Sequence, residues 1–123
     1  MKTVTFTIEP FARSLERFNE TFEAVREGRK IEPREAVGFT SLEAARNFLT
    51  RERLALLRAI KTQHPSSIYE LAKAVSRDLK NVQDDIRILE RHGLVKITSR
   101  PRGSRKVKAP EVPFEEITLR IAI

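Results

Sequence analysis

Between residues 78 and 92, Lys80, Asn81, Gln83, Asp84 and Arg87 supply the side-chain types that hydrogen-bond to the edges of nucleic-acid bases. Arg and Lys donate to guanine O6 and N7, Asn and Gln make a two-bonded contact with adenine, and a carboxylate accepts from cytosine N4. Stepping 100° per residue from Val82 puts Lys80, Asp84, Arg87 and Arg91 on the opposite side of a helix, with Arg77, Asn81 and Gln83 nearby. Phosphate repels a carboxylate, so Asp84 reads a base, orients Lys80 or Arg87 from a neighbouring turn, or argues against close docking there; orientation is the favoured role. Every surface helix has a polar face, and Asn81 and Arg87 are the side chains here whose chemistry asks most for a base.

A second set of cations follows. Arg100, Arg102, Arg105 and Lys106 lie around one Pro- and Gly-containing turn, with no acidic residue between Lys96 and Lys108, which suits phosphate or minor-groove contact. Ser66 and Ser67 precede a helix start, where backbone N–H groups receive phosphate, although Ser67 is better placed to cap that helix itself.

These residues belong to an uneven charge distribution. The chain has 123 residues and a formal charge of +7. Residues 1–49 hold eight basic and eight acidic residues, whereas 50–108 hold fifteen basic against six acidic. A basic middle between near-neutral flanks fits a polyanion-binding unit joined to separate assembly elements. There is no cysteine, which excludes disulfides, thiolate nucleophiles, zinc fingers and iron–sulfur sites. Catalysis is not expected: paired histidines at ligand spacing, a glycine-rich phosphate loop and a G-x-S-x-G turn are all missing, so no metal site and no cofactor is expected either. His64 and His92 fall at helix ends, where His complements carbonyl groups. The start MKTVTFTIEP lacks the apolar core of a signal peptide and no run reaches membrane-spanning length, so a cytoplasmic protein with no membrane partner is expected.

The elements that must position these side chains read as follows. Residues 2–8 alternate, with Val4, Phe6 and Ile8 on one side, and predict a short strand. Pro10 suits a helix start, and Phe11, Leu15, Phe18, Phe22 and Val25 recur at steps of four and three, forming one stripe that ends at Gly28. Such a stripe packs on its own domain or on a twofold-related copy, where it would be a dimer interface. Residues 28–38, with Arg29, Lys30 and Pro33, read as a polar connector. Thr40 with Glu43 predicts a capping box for a short helix over 41–48, Thr50 caps the next, Ser67 with Glu70 caps a third over 67–75, and Asp78 caps a fourth that ends at His92 before Gly93. Helices at this spacing, with a tight joint before the last, make a helix-turn-helix pattern. Strands at 94–98 and 106–108 around the basic tip complete a wing; Pro110 and Pro113 then interrupt pairing, and 116–123 alternates as a strand with Ile117, Leu119, Ile121 and Ile123 on one face. That strand must be covered, and pairing with the N-terminal strand, within the chain or across a dimer, would do so.

The stretch FLTRERLALLRAIKTQHPSSIYELAKAVSRDLKNVQDDIRILERHGLVKI resembles the winged helix-turn-helix transcriptional regulators of archaea and bacteria, loosely MarR-like. The cues are LT..RL.LL.AI, SI.ELA and RD.KNV..DI..LE..GLV over residues 48–97, with an upstream likeness at Phe39, Ser41, Glu43 and Arg46. The resemblance implies that 78–92 is the recognition helix and that Arg77, Lys80 and Asn81 lie at its DNA-facing start. The expected fold is mainly α with a small β component, a winged helix-turn-helix with an N-terminal strand-helix extension and a C-terminal strand, divided at 1–38, 39–108 and 109–123. The expected function is a sequence-specific, dimeric regulator of double-stranded DNA, most simply a repressor. The competing reading is an antitoxin that masks a small toxin and represses its own operon. RNA is a poorer partner, since Tyr69 is the only tyrosine and the phenylalanines sit in apolar patterns.

Overall fold

A computed structural model of the chain describes residues 2–29 and 36–123. Along them run β1 (Thr3–Ile8), α1 (Phe11–Arg26), β2 (Ala36–Phe39), α2 (Leu42–Phe48), α3 (Arg51–Gln63), α4 (Ile68–Ala74), α5 (Leu79–Arg91), β3 (Lys96–Arg102), β4 (Arg105–Glu111) and β5 (Glu116–Ile121). Helix makes up 48% and strand 26% of these residues, so the expectation of a mainly α protein is wrong: the fold is mixed α/β, with a parallel sheet and an antiparallel hairpin. No helix among the described residues is long and apolar enough to cross a membrane.

The chain divides into two compact units, Met1–Phe48 with Glu116–Ile123, and Leu49–Glu115. This division departs from boundaries at 39 and 108. Helix α2 joins the first unit because Ala45 and Phe48 bury against β1 and β2, and β5 joins it by pairing.

Unit 1 is a three-stranded parallel sheet in the order β2-β1-β5. The register sets Val4 beside Ile117, Phe6 beside Val37 and Leu119, and Ile8 beside Phe39 and Ile121, so one face is apolar throughout. Phe6, Phe39 and Phe48 close over it, with ring centroids 5.3 to 5.8 Å apart in tilted arrangements. Residues 36–39 therefore form a strand, not the end of a polar connector; the alternation of Val37 and Phe39 is its only sequence signal, and residues 30–35, including Lys30 and Pro33, lie outside the described residues. The cap of α2 is Ser41 rather than Thr40, with the Ala44 N–H donating to its Oγ at 3.1 Å. Helix α1 ends as expected, Gly28 taking φ +74° and the Arg29 N–H reaching Ala24 O at 2.8 Å. The buried Glu9 ties α1 to β1 by accepting from Arg17 at 2.9 Å and from Ser14 at 3.3 Å. No α1 residue is buried, and Phe11, Phe18 and Phe22 are 68, 64 and 56% exposed, so no other described element of unit 1 covers the stripe.

Unit 2 follows its local signals closely. Thr50 caps α3 through the Arg53 N–H, Ser67 caps α4 through that of Glu70, and Asp78 caps α5 through that of Asn81, at 3.1 to 3.2 Å. Leu56, Leu57, Ile60, Leu71, Val82, Ile86 and Leu89 bury together beneath Leu94 and Val95. The hairpin is longer than the predicted wing: β3 and β4 pair from Lys96 with Glu111 to Arg102 with Arg105, around a two-residue turn with Gly103 at φ +62°. Pro110 pairs with Ile97 inside β4 instead of ending it, because in a two-stranded ribbon every strand has an outer edge that needs no N–H donor. Burying each Leu of this core contributes about 1.5–3 kcal/mol. Leu89→Ala should therefore lower the stability of unit 2 by about 2–5 kcal/mol, read from the urea midpoint of the circular dichroism signal.

Candidate nucleic-acid interface

Helix α5 is fixed in unit 2 by more than its apolar line. Asp85 lies on its half-buried flank and accepts from Arg53 Nε of α3 at 3.0 Å and from Arg77 Nη2, just before α5, at 2.8 Å. Both guanidiniums and the carboxylate are largely covered, Asp85 to 15% exposure, so these charge-assisted bonds are weakly screened. The joint before α5 turns on Ser76 at φ +54°, with the Arg77 N–H donating to Ala72 O at 3.0 Å. Arg77 thus stands at the joint just before α5 with its Nη2 committed to Asp85 and its side chain 26% exposed.

With α5 so held, Lys80, Asn81, Asp84 and Arg87 are exposed along its outer side and Gln83 is half-buried. Asp84 accepts from Arg87 Nη1 at 3.4 Å, the orienting pair one turn apart that the spacing suggested. Lys80, Asn81, Asp84 and Arg87 are therefore brought to one exposed face of α5, with Gln83 at its margin. His92 donates from Nδ1 to Ile88 O at 3.0 Å, completing the helix end.

The hairpin cations are arranged in two ways. Arg105 and Lys106 are exposed at the turn, while Arg100 binds Glu111 across the ribbon and Arg102 leans back to Ser66 Oγ at 3.5 Å and Glu70 Oε1 at 3.4 Å. Glu70 also accepts from the Ser66 N–H at 2.9 Å. The two serines are consequently occupied, Ser67 as cap and Ser66 beneath Arg102. These bonds hold the Glu70 carboxyl below its ordinary value, first through Ser66 and then through Arg102, and Glu111 is lowered by Arg100. Neither contact of Arg102 is legible from spacing: Glu70 reads only as a capping residue, and no local pattern joins residues 32 or 36 apart.

A family model described as HVO_A0114 matches residues 48–119, more than half of the chain. The chain belongs to the HVO_A0114 family. Its matched region takes in all of unit 2 and the first part of β5, and leaves out β1, α1 and β2. No curated protein and no solved structure matches this HVO_A0114 member.

Two outcomes follow for the framework. Asp85→Asn should cost about 1.5–3 kcal/mol in a urea titration, because it withdraws the charge shared by two guanidiniums. Glu70 and Glu111 have lowered folded-state values, so their contribution to stability is complete above the ordinary 4.5 and is lost as pH falls through the lowered values. Glu70→Gln should flatten the fall of the melting temperature with acidification over that window, compared with the unaltered chain.

Proposed function

We propose that the protein is a sequence-specific, double-stranded-DNA-binding transcriptional regulator, acting in the cytoplasm as a dimeric repressor. On this reading, unit 2 is a winged helix-turn-helix module of MarR-like kind. Helix α5 enters the major groove with Lys80, Asn81, Gln83 and Arg87, and the hairpin brings Arg100, Arg102, Arg105 and Lys106 to the backbone or minor groove. The observation that carries the reading is the joint exposure, within unit 2, of a helix face rich in base-reading side chains and of a hairpin tip with cations and no acid. Phosphate contacts give affinity and register, and the α5 face gives discrimination. Repression follows from occupancy of promoter DNA and needs no catalysis.

The exposed apolar stripe of α1 favours one further reading, in which Phe11, Leu15, Phe18, Phe22 and Val25 receive a toxin and the protein is an antitoxin regulating its own operon. The plain regulator uses its apolar surfaces, this stripe or the 117–123 strand, only for itself. A small toxic protein encoded beside this chain, and its retention on the chain but not on a Phe18→Glu variant, would favour the antitoxin.

The deciding measurement is fluorescence anisotropy with the duplex upstream of the protein's own gene and a shuffled duplex, at two salt concentrations. Preference for the former should persist at the higher salt; equal and steeply salt-sensitive binding to both would overturn the proposal. Asn81→Ala and Arg87→Ala should each weaken the preferred duplex by about 1–3 kcal/mol with unchanged melting temperature. Lys106→Ala should weaken both duplexes alike and reduce the salt slope by about 1.

A further inference from the structure

The outer edge of β5 carries no strand among the described residues. Its inner edge is fully used by β1, in parallel register from Thr3 with Glu116 to Ile8 with Ile121, and extended by the Ala122 N–H donating to Ile8 O at 2.9 Å. Glu116 and Thr118 to Ile121 are exposed, Leu119 and Ile121 to about half. At the other edge of the sheet, β2 has only four residues and runs at once into α2. β5 contains no proline or lysine and shows no bulge, so it keeps a straight row of backbone donors and acceptors available for another strand.

The side chains on that row select the strand that fits. We infer that β5 pairs antiparallel with β5 of a second copy about a twofold axis through Thr118. In this register Glu116 of each copy lies opposite Arg120 of the other, Ile117 lies opposite Leu119 on the apolar face shared with Phe6, and Thr118 meets itself. All these are favourable cross-strand pairs, and each occurs in a self-complementary set, as an isologous contact requires. Centring the axis on Leu119 loses both ion pairs, and centring it on Arg120 sets two guanidiniums against each other. The one acid and one base on this edge, which would turn away a strand of unmatched charge, therefore attract a copy of themselves. The result is one six-stranded sheet in the order β2-β1-β5-β5-β1-β2, and it covers apolar side chains that a lone unit 1 leaves in water. The inference deepens the dimer of the proposed function, rests on it for purpose, and places the seam in β5 rather than in the α1 stripe.

The test reads mass in solution, without DNA, by sedimentation of the full chain over a range of concentrations. The unaltered chain should be a dimer. Glu116→Arg and Arg120→Glu should each weaken the dimer by about tenfold or more, and the double variant should restore it. The chain contains no cysteine, so Thr118→Cys introduces one thiol per copy, which should crosslink the dimer under mild oxidation while Arg120→Cys does not. A monomeric unaltered chain, a dimer indifferent to both reversals, a double variant that stays dissociated, or a thiol at 118 that does not crosslink would each overturn the inference. Dissociation by Phe18→Glu with silent strand reversals would overturn it too, in favour of α1. The anisotropy titration is independent: specific DNA binding by a monomer removes this seam and leaves the DNA reading standing, and a β5 dimer that binds both duplexes equally does the reverse.

Discussion

Asp85 takes two guanidiniums from different distances along the chain, Arg53 from the start of α3 and Arg77 from the joint before α5, and the setting of α5 in unit 2 depends on their meeting. Apolar burial of Val82, Ile86 and Leu89 presses the helix onto its neighbours but tolerates rotation and sliding, because dispersion and hydration forces have little directionality. Charge-assisted bonds at about 3 Å do not tolerate it. Which α5 side chains point outward is therefore decided on its covered flank. A half-buried carboxylate with two partners also holds the tight joint, whose left-handed Ser76 would be costly in an isolated peptide.

The same device recurs at lower strength on the hairpin. Arg102 rests on Glu70 and Arg100 on Glu111, whereas Arg105 and Lys106 are exposed at the turn. Long cationic side chains that are already positioned give up less entropy on binding, though an anion must compete with their carboxylates. The hairpin thus carries two cations paired with carboxylates and two exposed ones close to its Gly103 turn.

What could be read in the sequence follows the range of the forces involved. Caps at Thr50, Ser67 and Asp78, the stop at Gly93 and the inward line of α5 are local, and each stands in the structure where its spacing placed it. The exposed candidates on α5 were legible for the same reason, since helical geometry alone sorts Lys80 and Arg87 from Val82 and Ile86. The bond of Arg77 to Asp85 is not legible locally, because it joins residues eight apart through a carboxylate that an arginine of another helix also holds. β2 was missed because four residues of modest alternation beside Gly38 carry little local signal, and only pairing with β1 makes them a strand. The balance of helix and strand went wrong with it: the parallel sheet is assembled from segments at both ends of the sequence, and no window of residues contains it.

That assembly links the two units without requiring any contact between them. Thr3 pairs with Glu116, so completing the sheet closes a loop of nearly the whole chain, of which residues 49–115 are the greater part. Folded, unit 2 holds its two ends at a fixed separation and removes most of the disorder from that loop; unfolded, it returns a long flexible span whose closure entropy the β1–β5 pairing must overcome by itself. The sheet should consequently be slow to form until unit 2 has folded, as non-local pairings are. Damage to the core around Leu56 and Leu89 would then be felt at β5, as a loss of effective concentration transmitted through the chain's connectivity alone.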